Sequence, residues 1–310
     1  NMNKKTLIAA LLATLVASPA AYAEKIGVTI ANSNPWLTLV RNGMQAKVKT
    51  MKGVEAQFED AQDDIGRQLN HIQNFIAQKV DAIVVVTVDS QATPKMTKMA
   101  TDAGIPLVYV NHPPGDKTLP AKVSFVGSNE VDSGTMQTKE VCKLLNGKGD
   151  ILLIIGDLSN ESALQRTQDV KDVIAKPPCN GMKIIDAQAA TWSRTQAADL
   201  MNNWLSAGLK FDAVISNNDE MAIGAIQSLK AAGKMKKDTI VAGIDATRDA
   251  LASMKAGELK VTVFQDAYGQ GGGGIEAAVK MARGEKVPAN VWIPFELVTP
   301  ANVDKYLSKN

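Results

Sequence analysis

Hydrophobic and polar positions follow two alternating patterns along this chain. Unbroken apolar runs such as residues 82–88 are typical of strands buried on both faces of a parallel sheet. Between such runs, apolar residues recur at helical spacing, as in residues 66–78, where Leu69, Ile72 and Phe75 share one face. The alternation of strand and helix begins again near the middle of the chain. We therefore predict an α/β fold of two doubly wound parallel-sheet lobes.

The first residues do not follow this alternation. Lys4 and Lys5 precede an uncharged apolar run at residues 6–17, and small residues follow at Ala21 and Ala23. The run is about a dozen residues long, whereas a membrane helix needs roughly 20. This pattern predicts a signal peptide that is cleaved after Ala23, and hence an exported mature protein.

The charge balance and the motif content exclude several classes of function. The chain carries 34 basic and 32 acidic residues, and loss of Lys4 and Lys5 with the signal peptide makes these numbers equal. A near-neutral chain lacks the basic surface that nucleic-acid binding needs. The sequence holds no nucleophile elbow and no cofactor fingerprint, so we expect no catalytic residues, no cofactor and no enzyme activity. No metal site is expected, because neither Cys142 nor Cys179 has a histidine or a further cysteine nearby.

The two cysteines allow two interpretations. Cys142 lies late in a predicted helix, and Cys179 follows Pro177 and Pro178 after the next helix, so both belong to one lobe. An exported chain meets an oxidising compartment, where a disulfide can form. Two buried, unpaired thiols are an equally good interpretation.

Polar and aromatic residues follow nearly every predicted strand. Ligands of open α/β sheets bind beyond the carboxyl ends of the strands. Amides donate and accept hydrogen bonds, carboxylates accept them and arginine donates as a planar fork, which suits a ligand with many hydroxyl groups. Trp36 and Trp192 offer flat surfaces for the apolar face of a ring. Asn and Asp after strands are also common turn formers and helix caps, so each single residue has two interpretations of similar weight.

Other conspicuous residues are interpreted as structural. Asp219 and Asp249 are explained as caps or solvent-facing acids, and Trp204 as core packing at helical spacing. The glycine run at residues 269–274 lacks the Lys-Ser/Thr ending of a phosphate loop. We expect it to let a helix start close to the sheet.

Several stretches resemble the periplasmic ribose-, galactose- and inositol-binding proteins of sugar ABC transporters, which have the type I fold. They are Asn34-Pro35-Trp36, the run 105–111, the block 217–225 with Asn-Asp-Glu-Met-Ala, Gly243–Ala246 and Val263-Phe264-Gln265. The resemblance implies two lobes joined by a three-strand hinge, with an N-terminal lobe of residues 24–126 plus 266–293 and a C-terminal lobe of residues 127–265 plus 294–310. It also implies a monomer that binds a small sugar or cyclitol by lobe closure and docks on a membrane permease.

The resemblance also implies which side chains bind the ligand. In this family, residues at the positions of Trp36 and Trp192 stack on the ring, and the residue at Arg166 forks onto ring oxygens. Gln265 matches the ribose-type residue, whereas Asn111 and His112 depart from the ribose pattern. The implied set is Asn34, Trp36, Asn111, His112, Asn160, Arg166, Trp192, Asn218, Asp245 and Gln265.

The identity of the ligand is the most specific of these expectations. The stretches 66–70, 107–111 and 294–300 look most like the inositol-binding branch, so we favour myo-inositol. Ribose, galactose or glucose are the alternatives, and ligand input to a chemotaxis or sensor receptor is compatible with each of them. A DNA-binding regulator would need a helix-turn-helix where the signal peptide stands, and a sugar-metabolising enzyme would need a catalytic set.

Overall fold

The computed structural model describes residues 22–309, so most of the predicted signal peptide lies outside the described residues. The strands are β1 (Glu24–Ile30), β2 (Val54–Asp60), β3 (Ala82–Val86), β4 (Leu107–Val110), β5 (Val123–Gly127), β6 (Lys148–Ile155), β7 (Gly181–Ala189), β8 (Ala213–Ser216), β9 (Ile240–Ala242), β10 (Thr262–Phe264), β11 (Asn290–Trp292) and β12 (Glu296–Val298).

Helices alternate with these strands. They are α1 (Pro35–Thr50), α2 (Ile65–Ala77), α3 (Thr93–Ala103), α4 (Glu130–Leu144), α5 (Glu161–Ile174), α6 (Arg194–Ser206), α7 (Asp219–Ala231), α8 (Arg248–Lys255) and α9 (Ala267–Ala282), with short 3₁₀ helices at Ser90–Ala92 and Val303–Tyr306. The helices within residues 22–309 are too short or too polar to cross a membrane.

The strands form two separate sheet units. The first unit is a parallel sheet in the order β11-β5-β4-β3-β1-β2, with α1, α2, α3 and α9 packed on it. The second unit is a parallel sheet in the order β7-β6-β8-β9, which isolated bridges extend to the antiparallel pair β10 and β12. The predicted α/β fold of parallel sheets and helices is confirmed.

The chain passes between the two units at three places. These passages lie at residues 128–129, 265–266 and 293–295, between elements of different sheets. At the third passage, Trp292 pairs beside β5 and Val298 pairs beside β10, so two short strands of different sheets follow each other closely. Pro294 separates the two strands and cannot donate a ladder hydrogen bond. The exact residue bounds that the sequence analysis gave for the two lobes stay a prediction.

The glycine run lets two helices of the first unit approach closely. A Cβ atom at Gly271 would overlap the carbonyl oxygen of Val40, and one at Gly43 would overlap the backbone of Tyr268. Helices α1 and α9 therefore pack backbone to backbone at these positions. The run also lies close to the sheet, as expected, because a Cβ atom at Gly274 would overlap the side chain of Val110 in β4.

The two cysteines form a disulfide, which decides between the two interpretations. Cys142 and Cys179 are bonded with Cα atoms 5.7 Å apart, and both are buried. They join the end of α4 to the segment after α5, within the second unit.

Candidate functional site

The polar residues at the strand ends surround one cavity between the two units. The empty volume between the lining side chains is about 340 Å³, including the solvent space at the opening. All of the predicted binding residues except Asn160 line it, together with Ser162. Across the gap, Ser90 of the first unit donates from its backbone N and its Oγ to the carbonyl oxygen of Ser159 in the second, at 3.3 and 3.1 Å. The units therefore touch beside the cavity, and we call this arrangement, with the two units in contact, the closed arrangement.

Two of the lining asparagines are helix caps as well. The Oδ1 atom of Asn34 accepts from the backbone N of Leu37 at 2.8 Å, and that of Asn218 accepts from Met221 at 3.0 Å. Each cap uses only the oxygen side of the amide. The Nδ2 side of the same planar group is the donor that these residues can offer to a ligand oxygen.

Asn160 has a different place. Its Oδ1 caps α5 by accepting from the backbone N of Ser162 at 2.9 Å, and its side chain does not line the cavity. Ser162, in the first turn of α5, takes that place. No pattern in the sequence distinguishes Ser162 from other first-turn residues.

The two predicted stacking residues lie one in each unit. Trp36 is 7% exposed, and its Nε1 donates to Asn111 Oδ1 at 3.2 Å. The Arg166 guanidinium lies 5.7 Å from the centroid of the Trp192 ring, within the range of a cation–π contact. A Cβ atom at Gly156 would overlap the Trp192 ring, so this glycine makes room for the indole. The sequence analysis missed Gly156, because the side chain that requires a glycine there, Trp192, is more than 30 residues away in the sequence.

A series of hydrogen bonds between side chains that line the cavity connects the two units. Asn111 Nδ2 donates to Gln265 Oε1 at 2.7 Å, and Gln265 Nε2 donates to Asp245 Oδ1 at 2.6 Å. All three side chains are buried. Their positions are coupled because each hydrogen bond fixes the orientation of the next amide.

Several cavity residues have a strained backbone. Asn111 has φ 64°, Trp192 φ 63° and Asp245 φ 131°, all in the region that favours glycine. Such conformations cost about 1–3 kcal/mol each and concentrate at functional sites. The surrounding structure therefore has to hold Asn111, Trp192 and Asp245 in these conformations.

Arg166 is fixed by a buried ion pair that the sequence analysis did not find. Its Nε donates to Glu130 Oε2 at 2.7 Å and its NH2 donates to Oε1 at 3.2 Å, while NH1 donates to the Asn217 carbonyl at 2.8 Å. Both charged side chains are about 5% exposed. Burial opposes the charge on Arg166, but Glu130 and then Asp245 raise its pKa, so the guanidinium stays charged. Glu130 lies 36 residues before Arg166, and no motif joins them.

His112 presents an acceptor to the cavity. Its Nδ1 lies 2.7 Å from the carbonyl oxygen of Thr87, so the proton is on Nδ1 and Nε2 carries the lone pair. Burial lowers the pKa of His112, although the Thr87 contact opposes this, and the ring is neutral at pH 7.

Two acids beside the cavity are buried. Burial raises the pKa of Asp245 well above its usual value, Arg166 opposes this and Asp219 adds to it. Asp219 itself is fully buried, which corrects the interpretation as a solvent-facing acid: it accepts from Thr262 Oγ1 at 2.7 Å and from the backbone N of Thr247 at 2.9 Å. Burial raises its pKa to about 6. Asp249 is exposed, as expected.

Other expectations were of a structural kind. Trp204 is buried in the second unit with its Nε1 donating to Asp186 at 2.7 Å, which confirms its packing role. Within residues 22–309 no group of three or more His, Cys, Asp or Glu side chains could hold a metal ion.

The fold and the polar cavity between its two units define a two-unit α/β binding protein. Residues 26–286 match the family model described as "Periplasmic binding protein domain". The "Putative rhizopine-binding protein" of Rhizobium meliloti is 56% identical over 308 residues, which cover 99% of this chain and 100% of that relative. This chain belongs to the periplasmic binding protein family.

Solved structures agree with this assignment. An ABC transporter solute binding protein from Bacillus halodurans with bound myo-inositol has a TM-score of 0.89 and 41% identity, covering 94% of this chain and 100% of that one. The Caulobacter myo-inositol binding protein bound to myo-inositol has a TM-score of 0.85 and 27% identity, covering 94% and 97%. These relatives are solute-binding proteins and not enzymes, in agreement with the lack of a catalytic motif.

Proposed function

We propose that this protein is the periplasmic receptor of an ABC importer and that it binds myo-inositol, or a closely related cyclic polyol, between its two units. The observation that carries the proposal is the single cavity that combines two tryptophans with donors and acceptors from both units. Hydroxyl groups on every side of a ring need both kinds of partner. Two similar solved structures have bound myo-inositol, which supports the choice among polyols.

In this proposal the lobes are residues 24–126 plus 266–293 and residues 127–265 plus 294–310, and they close around the ligand. The chain is exported after cleavage behind Ala23, acts as a monomer and delivers the ligand to a membrane permease. Affinity then depends on the ligand contacts and on the fraction of molecules that reach the closed arrangement.

A second candidate ligand is rhizopine. The observation that favours it is the 56% identity to the relative named for that compound. Ribose is a further alternative, because some relatives with lower identity are ribose import binding proteins. Galactose and glucose remain alternatives from the sequence resemblance.

Thermal-shift measurement on the mature protein tests the proposal. A ligand that binds only the native state must raise the melting temperature. We expect a large shift with myo-inositol and little with ribose or galactose. A larger shift with rhizopine or an aldose would replace the ligand but keep the receptor, and no shift with any of these compounds would contradict the proposal.

Two pairs of variants identify the site by calorimetry. Trp36→Ala should weaken binding by about 100-fold or more, since a buried aromatic anchor is lost, whereas Trp292→Ala, at a half-exposed ring outside the cavity, should not change it. Asp245→Ala should likewise weaken binding, and Asp249→Ala, at an exposed acid, should not. Retained affinity in a folded Asp245→Ala protein would refute the site.

A further inference from the structure

Gln270 is a buried residue of α9 that does not line the cavity, yet it contacts residues that do. Its Oε1 accepts from Asn111 Nδ2 at 2.9 Å. Its Nε2 donates to Gln265 Oε1 at 2.9 Å and to Ser128 Oγ at 3.1 Å. Gln270 is 0% exposed, so its amide makes its hydrogen bonds with these protein groups and not with bulk water.

The partners of Gln270 lie on separate segments that matter for closure. Asn111 follows β4 and lines the cavity from the first unit. Ser128 lies in the first passage between the units, and Gln265 lies in the second. One side chain therefore connects a cavity residue with two of the three passages.

These hydrogen bonds depend on how the passages are arranged. A buried amide that loses its partners is costly, because water does not replace them. If the passages rotate when the units open, Ser128 and Gln265 shift relative to α9. The full set of contacts then belongs to the arrangement in which the cavity residues are also in place.

We infer that Gln270 is a positioning residue that links the ligand cavity to the hinge passages and favours the closed arrangement. The inference rests on the proposed function. A ligand that orders Asn111 and Gln265 thereby orders the passages as well. Apparent affinity falls in proportion to the closed fraction, so losing this link weakens binding although no ligand contact is removed.

The test compares isosteric variants of two fully buried glutamines by calorimetry with myo-inositol. Gln270→Met removes the link, and we expect the Kd to rise about tenfold. The matched control is Gln68→Met in the first unit: Gln68 also has its amide bound on both sides, to the Val86 carbonyl and the Val88 N, but it contacts neither cavity nor passage. It should lower the melting temperature and leave the Kd within about twofold.

Ser128→Ala separates the hinge link from simple support of Asn111. It removes only the hydroxyl that Gln270 reaches, and we expect the Kd to rise about threefold. In a double variant, Ser128→Ala should add nothing to the effect of Gln270→Met, since the two residues act as one contact. Should Gln270→Met fail to fold, the rise in Kd of Ser128→Ala alone carries the test.

Each other outcome contradicts the inference. A folded Gln270→Met protein whose Kd matches that of Gln68→Met shows that Gln270 serves stability alone. An unchanged Kd in Ser128→Ala, or additive effects in the double variant, removes the link to the hinge. If the unmodified protein binds none of the compounds in the screen, the proposed function fails first and the inference falls with it.

Discussion

Replacing Glu130 by glutamine removes one charge from the ion pair that holds Arg166. In the unmodified protein, the carboxylate accepts from both Nε and NH2 of Arg166, and Ser133 Oγ donates to it at 3.1 Å. Glutamine keeps the shape but offers only one oxygen as an acceptor. The guanidinium remains charged and buried with less compensation, so both the fold and the ligand site should weaken.

The structure sets the size of both effects. Breaking a buried ion pair by changing one partner costs about 3–5 kcal/mol, and the conserved shape of glutamine favours the lower end. At about 2 °C per kcal/mol in a chain of this size, the melting temperature should fall by roughly 6 °C. A misplaced guanidinium loses a charged hydrogen bond to the ligand, which corresponds to a rise in Kd of about 10- to 100-fold.

Calorimetric unfolding and ligand titration of the same preparation measure the two effects. The control is Glu220→Gln, because Glu220 also binds an arginine through two oxygens, at 3.0 and 2.8 Å from Arg194. That pair is partly exposed and outside the cavity, so its loss should cost about 1 kcal/mol or less and leave Kd unchanged. A Glu130→Gln protein with unchanged affinity would show that Arg166 needs no partner for binding, and the argument would be wrong.

Two further predictions concern groups outside the cavity. Burial raises the pKa of Asp169 to about 7, whereas an aspartate in the unfolded chain has a pKa of about 3.9. Between about pH 3.9 and pH 7, Asp169 is therefore protonated in the folded state and ionised in the unfolded state. Stability therefore falls as pH rises through this window, and Asp169→Asn should gain melting temperature relative to the unmodified protein from pH 5 to pH 8; parallel pH profiles would contradict this. The disulfide closes a separation of 37 residues, so the double variant Cys142→Ser, Cys179→Ser should lose about 4 kcal/mol of stability while its Kd stays unchanged. A changed Kd would place the disulfide in the binding machinery.

The sequence allowed most of the cavity to be predicted because of a property of parallel sheets. Their strands end at one edge, so residues that follow different strands meet there whatever their distance along the chain. Asn111, Asp245 and Gln265 come together in this way. The resemblance to sugar-binding proteins selected among the strand-end residues, and the structure brings all of them except Asn160 to one cavity.

The residues that hold the binding side chains could not be predicted in the same way. Glu130 and Gln270 contact the site through side chains that extend from helices, and the partner depends on how each helix is placed on its sheet. Gln270 reaches Asn111 over a separation of 159 residues. The buried position of Asp219 was missed for a similar reason, since its carboxylate accepts from Thr262 in β10, 43 residues further along the chain.

The sequence also could not decide between a helix cap and a ligand contact, and the structure indicates that the two roles are not exclusive. A cap occupies the oxygen of an asparagine amide and leaves its NH₂ group on the opposite side. Asn34 and Asn218 cap helices and line the cavity, whereas Asn160 caps a helix and does not line the cavity. The cap fixes the amide rotamer before any ligand arrives, so less side-chain entropy is lost on binding. An asparagine that caps a helix beginning at the cavity wall is therefore a better donor to a ligand than an asparagine that caps no helix.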